Sequence, residues 1–206
     1  NMGKSHLNEM KKAGMTPVAV CDLDEERLET AKDDFEGIQT YTQVSDMLAQ
    51  SDVNLITIIT PHNLHADQAI ECLKAGKHVV CEKPMGLSKE SCEQIIYKSL
   101  QVSKQVFCVM QNRYSPPSVW IKDLIERKVL GDIYMVQLNC YWNRDERYYK
   151  AGGWKGTKDL DGGTLFTQFS HFIDIMYWLF GDIQNIQGKF ADFNHQDYTD
   201  FEDSGF

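Results

Sequence analysis

Two stretches, Leu55-Ile56-Thr57-Ile58-Ile59-Thr60-Pro61 and Gly76-Lys77-His78-Val79-Val80-Cys81-Glu82-Lys83-Pro84, decide the fold. Each contains an apolar, β-branched run without polar alternation, which predicts a strand covered on both faces. Between them, Leu64 to Ala75 has helical spacing and stops at Gly76, a C-cap signal. A covered strand, a helix and a second covered strand predict a parallel sheet with crossover helices.

The pattern extends in both directions. Upstream, the sequence predicts a helix over 5–13 ended by Gly14, a strand at Val18 to Cys21 and a helix over Asp24 to Phe35. A short strand at Ile38 to Tyr41 and a helix at Val44 to Gln50 come next. Downstream come a helix from Ser88 to Ser103 and a strand at Gln105 to Gln111. After Arg113 the pattern changes. A helix opens at Ser115-Pro116-Pro117 and runs to Leu130, followed by a β-branched and aromatic strand at Asp132 to Asn143. A glycine-rich loop spans Arg144 to Gly163, an apolar helix spans Thr164 to Phe180, and a last strand covers Ile183 to Phe193. The expectation is α/β: a doubly wound parallel sheet over 1–114, followed by a second part over 115–206 that reads as α+β. The opening Asn1-Met2-Gly3 and the ending Ser204-Gly205-Phe206 suggest a segment of a longer chain.

Composition narrows the function. Of 206 residues, 42% are hydrophobic and 25% charged, and 30 acidic against 21 basic residues give a net charge of −9. Such a balance attracts neither nucleic acid nor anionic lipid. The apolar runs fall well short of the roughly 18 to 20 residues that span a bilayer. The six cysteines form no C-x-x-C pair, so reduced thiols in a cytoplasm are expected.

In a doubly wound sheet the ligand sits outside the carboxyl ends of the strands, where Asp22, Thr60-Pro61, Glu82-Lys83 and Gln111-Asn112-Arg113 stand. Asp22 could accept from ribose hydroxyls and repel a 2′-phosphate, favouring NAD over NADP, or could cap the following helix, as could Asp24. Gly3 could be the last glycine of a phosphate-binding turn. Lys83 could stabilise an alkoxide or be a surface ammonium. Gln168, His171 and Asp174 follow at spacings of three on an apolar helix, where the imidazole is either a general base or a satisfied core group. Trp142, Tyr148, Tyr149 and Trp154 offer rings for a substrate or plug the loop. Arg113, Arg144, Arg147 and Lys155 could grip an anion or lie solvated. His62 and His65 have no further ligand beside them, so no metal is expected.

Met2-Gly3-Lys4-Ser5-His6, Thr60-Pro61-His62-Asn63-Leu64-His65, Ala75 to Pro84, and Asp161-Gly162-Gly163 followed by His171-Phe172-Ile173-Asp174 together resemble the Gfo/Idh/MocA oxidoreductases over nearly the whole chain. The resemblance implies an N-terminal Rossmann domain lacking its first strand and an incomplete C-terminal domain built on an open, mainly antiparallel sheet. It implies NAD as cofactor, Lys83 contacting substrate and cofactor, and His171 as acid/base. The cofactor set then reads Gly3, Asp22, Thr60, Pro61, His65, Glu82, Lys83, Gln111, Arg113 and Trp154, and the substrate set Lys83, Tyr148, Tyr149, Gln168, His171 and Asp174. Where many members carry an aspartate four residues before the histidine, this chain has Thr167. Arg147-Tyr148-Tyr149, Trp154 to Thr157 and Asp161 to Gln168 are most similar to the branch of UDP-N-acetylglucosaminuronate 3-dehydrogenases. A dehydrogenase of nucleotide-linked or acidic sugars, homodimeric or homotetrameric, is the expectation. A free-sugar or inositol dehydrogenase and a redox-silent NAD-binding protein are the alternatives.

Overall fold

The computed structural model describes residues 2–150 and 153–206, so Asn1 of the opening stretch and Ala151 and Gly152 of the long loop lie outside the described residues. The chain divides into two compact units. The first comprises the residues up to Thr60, His65–Glu82 and Glu90–Phe107, and the second comprises Pro61–Leu64, Lys83–Lys89 and Cys108–Phe206.

In the first unit, α1 (Met2–Lys12), β1 (Ala19–Cys21), α2 (Glu25–Asp34), β2 (Gln39–Tyr41), α3 (Val44–Gln50), β3 (Leu55–Ile58), α4 (His65–Lys74), β4 (His78–Cys81) and α5 (Lys89–Gln101) alternate as the sequence predicts. β1 pairs in parallel with β2, β3 pairs in parallel with β4, and β5 (Val106–Cys108) lies on the far side of β4. Register in the central pair sets Leu55 beside His78 and Ile58 beside Cys81.

Local chemistry explains the helix ends. Asp24 caps α2, its Oδ1 accepting from the backbone N–H of Glu26 at 3.0 Å and of Arg27 at 3.4 Å. Glu25 and Glu26 lie in its positive first turn and Lys32 in its last. The backbone turns out of α4 at Gly76 with φ +73°, a conformation that glycine adopts without the clash of a Cβ. The core gathers the inward faces of these elements: Ile56 and Ile58 of β3, Val79 and Cys81 of β4, Ala69, Cys72 and Leu73 of α4, and Ile95 of α5.

The second unit holds α6 (Pro116–Glu126), two short helices α7 (Glu146–Lys150) and α8 (Lys158–Asp161), and α9 (Ser170–Phe180). It also carries an antiparallel pair, β6 (Phe190–Ala191) with β7 (Ser204–Gly205). Pro116 opens α6, where the missing N–H costs nothing. Two expectations are corrected here. Residues 132–143 form no strand: among the described residues no backbone hydrogen bond joins them to another segment, and β-branched content without a paired neighbour makes no ladder. The strand expected over Ile183 to Phe193 shrinks to the two residues of β6.

Leu73 is fully buried and Leu100 is 74% exposed. Leu73→Ala is expected to destabilise the first unit by about 2–5 kcal/mol and Leu100→Ala by under about 0.5 kcal/mol. Urea unfolding followed by circular dichroism checks this, and equal midpoints for the two variants would refute the packing described.

Candidate functional site

In the first unit, the capping of α2 by Asp24 leaves Asp22 with a different task. Its carboxylate accepts from the Asp24 N–H at 3.0 Å, Arg27 Nη1 stands 3.4 Å away, and the side chain is partly exposed at the end of β1. Gly3 lies in the first turn of α1. At the end of β3, Thr60 Oγ1 donates to Gln68 Oε1 at 2.7 Å, and the ring of fully buried His65 bonds the Thr60 carbonyl at 2.8 Å. These two bonds fix the course of the strand exit. At the end of β4, Glu82 Oε1 meets His6 Nε2 at 2.8 Å. His6 closes the Met2 to His6 motif, but its pairing with Glu82 has no cue in the sequence beyond its place three residues after Gly3.

In the second unit, Lys83 donates to the backbone carbonyl of Thr167. Thr167 belongs to a single π-helical turn, Leu165–Phe169, that runs straight into α9. Such turns widen the helix and are frequent at functional sites. The backbone oxygen of Thr167, four residues before His171, thus meets the lysine.

The π turn also divides the polar face read from the spacing of Gln168, His171 and Asp174. Gln168 Oε1 accepts from Arg144 Nη2 at 2.9 Å. His171 and Asp174 instead meet the 3-10 turn Gln111–Tyr114: Gln111 Nε2 lies 3.4 Å from His171 Nε2, and Arg113 forks onto Asp174, its Nε donating to Oδ2 at 2.8 Å and its Nη2 to Oδ1. The hydrogen bonds to Asp174 raise the Arg113 pKa further above its already basic value. His171 is buried, so its ring is held by packing as well as by the polar turn.

The glycine-rich loop is organised by Asp161, which is 1% exposed. Its Oδ2 accepts from the Gly156 N–H at 3.0 Å, and His62 Nδ1 lies 3.3 Å from its Oδ1 and 3.0 Å from its backbone oxygen. Trp154 packs edge-on against the His62 ring at 4.7 Å. Gly162 has φ +91°, and a Cβ there would stand 2.6 Å from Leu87 Cδ2. Tyr148 and Tyr149 meet at 5.2 Å, and Tyr149 packs on His195 and Phe201. Burial pushes the Tyr149 hydroxyl up to about 12.

Among the described residues, one group could offer three ligand atoms to a metal: Asp192, His195 and Asp203. Those atoms are already engaged. Asp203 accepts from the N–H groups of Phe193 and Asn194 and pairs with His195 Nδ1 at 2.9 Å, and His195 Nε2 meets the Arg144 carbonyl. The cluster is a closed hydrogen-bond network that ties the end of the chain to Arg144.

Residues 1–110 match the profile of the oxidoreductase family with an NAD-binding Rossmann fold, and residues 119–206 match the GFO/IDH/MocA C-terminal domain. The chain belongs to the Gfo/Idh/MocA oxidoreductase family. The WlbA dehydrogenase of Bordetella pertussis, solved with NADH and UDP-GlcNAcA, is 33% identical with a TM-score of 0.93, over 100% of this chain and 63% of that one. Its counterpart from Chromobacterium violaceum, with the same ligands, is 34% identical with a TM-score of 0.91, over 99% of this chain and 59% of the other. Among curated proteins, an uncharacterised oxidoreductase of Synechocystis is 29% identical over 74% of this chain and 41% of its own length. The inositol 2-dehydrogenase of Salmonella typhimurium is 27% identical over 88% of this chain and 52% of its own. The chain thus spans roughly two fifths to one half of these curated relatives.

The hydrogen bond to Asp203 raises the His195 pKa. Burial alone would push the Asp203 carboxyl up, but hydrogen bonds from His195 and the loop amides prevail and hold it well below the usual carboxylate range. The contribution of His195 to stability is complete below about pH 6.5 and is lost as pH rises through its raised value. That of Asp203 is complete above about pH 4 and is lost as pH falls through its lowered one. The network is therefore strongest between about pH 4 and 6.5. An NMR titration should find His195 titrating above an ordinary histidine in the wild type and lower in Asp203→Asn; an unchanged midpoint would contradict the pairing.

Proposed function

We propose that the chain is the cofactor- and substrate-binding part of an NAD-dependent dehydrogenase that oxidises a secondary alcohol of an acidic or nucleotide-linked sugar. The observation that carries this reading is the convergence of Lys83 and His171 on one helical turn: the ammonium bonds the carbonyl of Thr167, four residues before the imidazole. An ammonium and a buried imidazole there provide the two groups that alcohol oxidation requires.

His171 accepts the proton of the substrate hydroxyl. Lys83 stabilises the alkoxide that forms. Asp22 and Gly3 would hold NAD, which would supply the acceptor for the hydride that leaves the same carbon. Gln111 and the Arg113–Asp174 fork hold α9 so that His171 keeps its orientation. In the first unit, Asp22 takes the ribose hydroxyls and repels a 2′-phosphate, with Gly3 at the diphosphate end. We assign cofactor binding to 1–114 and substrate binding and oligomerisation to 115–206. The sugar-nucleotide ligand of the WlbA structures supports the substrate class.

The same proposal covers assembly and compartment. The extended segment 132–143 exposes Tyr134 at 92% and Tyr141 at 93%, with Met135 and Trp142 beside them, and a symmetric dimer or tetramer would cover such a surface. All six cysteines are free thiols, which suits a reducing cytoplasm. Among the described residues, no helix is long and apolar enough to cross a membrane.

In the full-length protein, Lys83→Ala and His171→Ala should each lower kcat by about 10² or more, followed by NADH absorbance. Near-wild-type oxidation by both would overturn the mechanism. A panel of a UDP-linked uronic acid, the matching neutral UDP-sugar and myo-inositol decides the substrate class, and inositol turned over as efficiently as the nucleotide-linked acid would replace it with the inositol dehydrogenase reading. NAD should bind more tightly than NADP, and Asp22→Asn should narrow the gap; equal affinities in the wild type would remove the role of Asp22. Sedimentation at micromolar concentration should give a dimer or tetramer, and a monomer would refute the assembly.

A further inference from the structure

Four cations stand in or near the long loop, and the structure sorts them into two kinds. Arg113 is neutralised by Asp174, and Arg147, 91% exposed, is neutralised by Asp145. Arg144 and Lys155 are different. Each lies 4.2 Å from the ring centroid of Tyr148, Arg144 also stacks on Trp142 at 4.9 Å, and among the described residues neither makes an ion pair with a carboxylate.

Both cations are partly withdrawn from water, in a chain whose net charge is −9. Ring stacking satisfies their apolar faces, but it does not supply countercharge. The guanidinium carries five N–H donors, and the described residues take one of them, through Gln168. The buried Asp161 carboxylate accepts from the Gly156 amide through Oδ2, has the His62 ring 3.3 Å from Oδ1, and among the described residues makes no ion pair with Arg144 or Lys155. Tyr148 supplies no charge either, because burial raises its hydroxyl and keeps it neutral near pH 7.

We propose that Arg144 and Lys155, set against Tyr148, form an oxyanion-binding site that takes the carboxylate or a phosphoryl group of the substrate. Gln168 links this site to the reacting groups, since it adjoins Thr167, which holds Lys83, and precedes His171 by three residues. An anion gripped there fixes the sugar beside the proton-transfer residues. The proposal rests on the dehydrogenase reading for the substrate, but its binding chemistry stands on the two cations alone.

The test measures binding by calorimetry and turnover in the full-length protein with NAD(H) present. The probes are UDP-glucuronate, UDP-glucose and free glucuronate, and the variants are Arg144→Gln, Lys155→Gln and Arg144→Lys. Arg144→Gln and Lys155→Gln should each weaken UDP-glucuronate binding at least tenfold and raise its KM in proportion. Losses in kcat should be far smaller, NADH affinity should be unchanged, and Arg144→Lys should recover part of the loss. If the carboxylate is the occupant, UDP-glucose binding is unaffected; if a phosphoryl group is, both UDP ligands weaken and free glucuronate does not. Variants that bind every probe as the wild type does, or that lose NADH affinity or kcat with KM intact, would overturn the proposal. Should Arg144→Gln fail to fold, Lys155→Gln decides alone, because among the described residues that ammonium only stacks on Tyr148. A wild type that oxidises no sugar removes the dehydrogenase reading, and the calorimetric arm still decides the anion site.

Discussion

A carboxylate taken out of water must be met by donors, and the buried carboxylate of Asp161 sets the geometry of the second unit. The Gly156 amide donates to its Oδ2, and the His62 ring, bonded to the Asp161 backbone oxygen, stands 3.3 Å from its Oδ1, so one residue joins the turn after β3 to both ends of a short loop. Because α8 ends at this residue, the direction in which the chain leaves is fixed as well. Gly162 and Gly163 turn it through positive φ, and Leu87 closes the space where a Cβ at Gly162 would stand. The chain then enters the π turn that carries Thr167 and continues to His171.

Pairing of charges repeats the same logic elsewhere in this unit, among partly buried groups. Arg113 and Asp174 cancel each other while joining a 3-10 turn to α9, and His195 with Asp203 fastens the last residues to Arg144. These pairs commit several of the ionisable groups that a sequence reader would assign to ligands. The contrast with Arg144 and Lys155 emerges only in three dimensions.

The first unit was legible because its signals are local. Unalternated runs such as Val79 to Cys81, the glycine after α4 and the acidic cap of α2 each specify backbone geometry over a few residues, and each element formed within a few residues of its expected place. Lys83 and His171 were legible as a motif. The bond from Lys83 to the Thr167 carbonyl, four residues before His171, was not, since a backbone acceptor carries no residue-type signal. The π turn was equally hidden, because the segment from Thr164 to Phe180 reads as one uninterrupted helix. Residues 132–143 misled in the opposite sense: their β-branched and aromatic pattern is a statement about side chains, whereas a strand is a statement about a paired neighbour.

The second unit takes Pro61–Leu64 and Lys83–Lys89 from between the secondary structure elements of the first. The linear order of the chain is thus not the order of its modules. Recombination with a related gene at a junction near residue 114 would inherit His62 and Lys83 from one parent and Asp161 and Thr167 from the other. Chimaeras of this kind should succeed only where both parents share those contacts, and residue swaps that move the two short insertions together with 108–206 respect the architecture better than any single crossover.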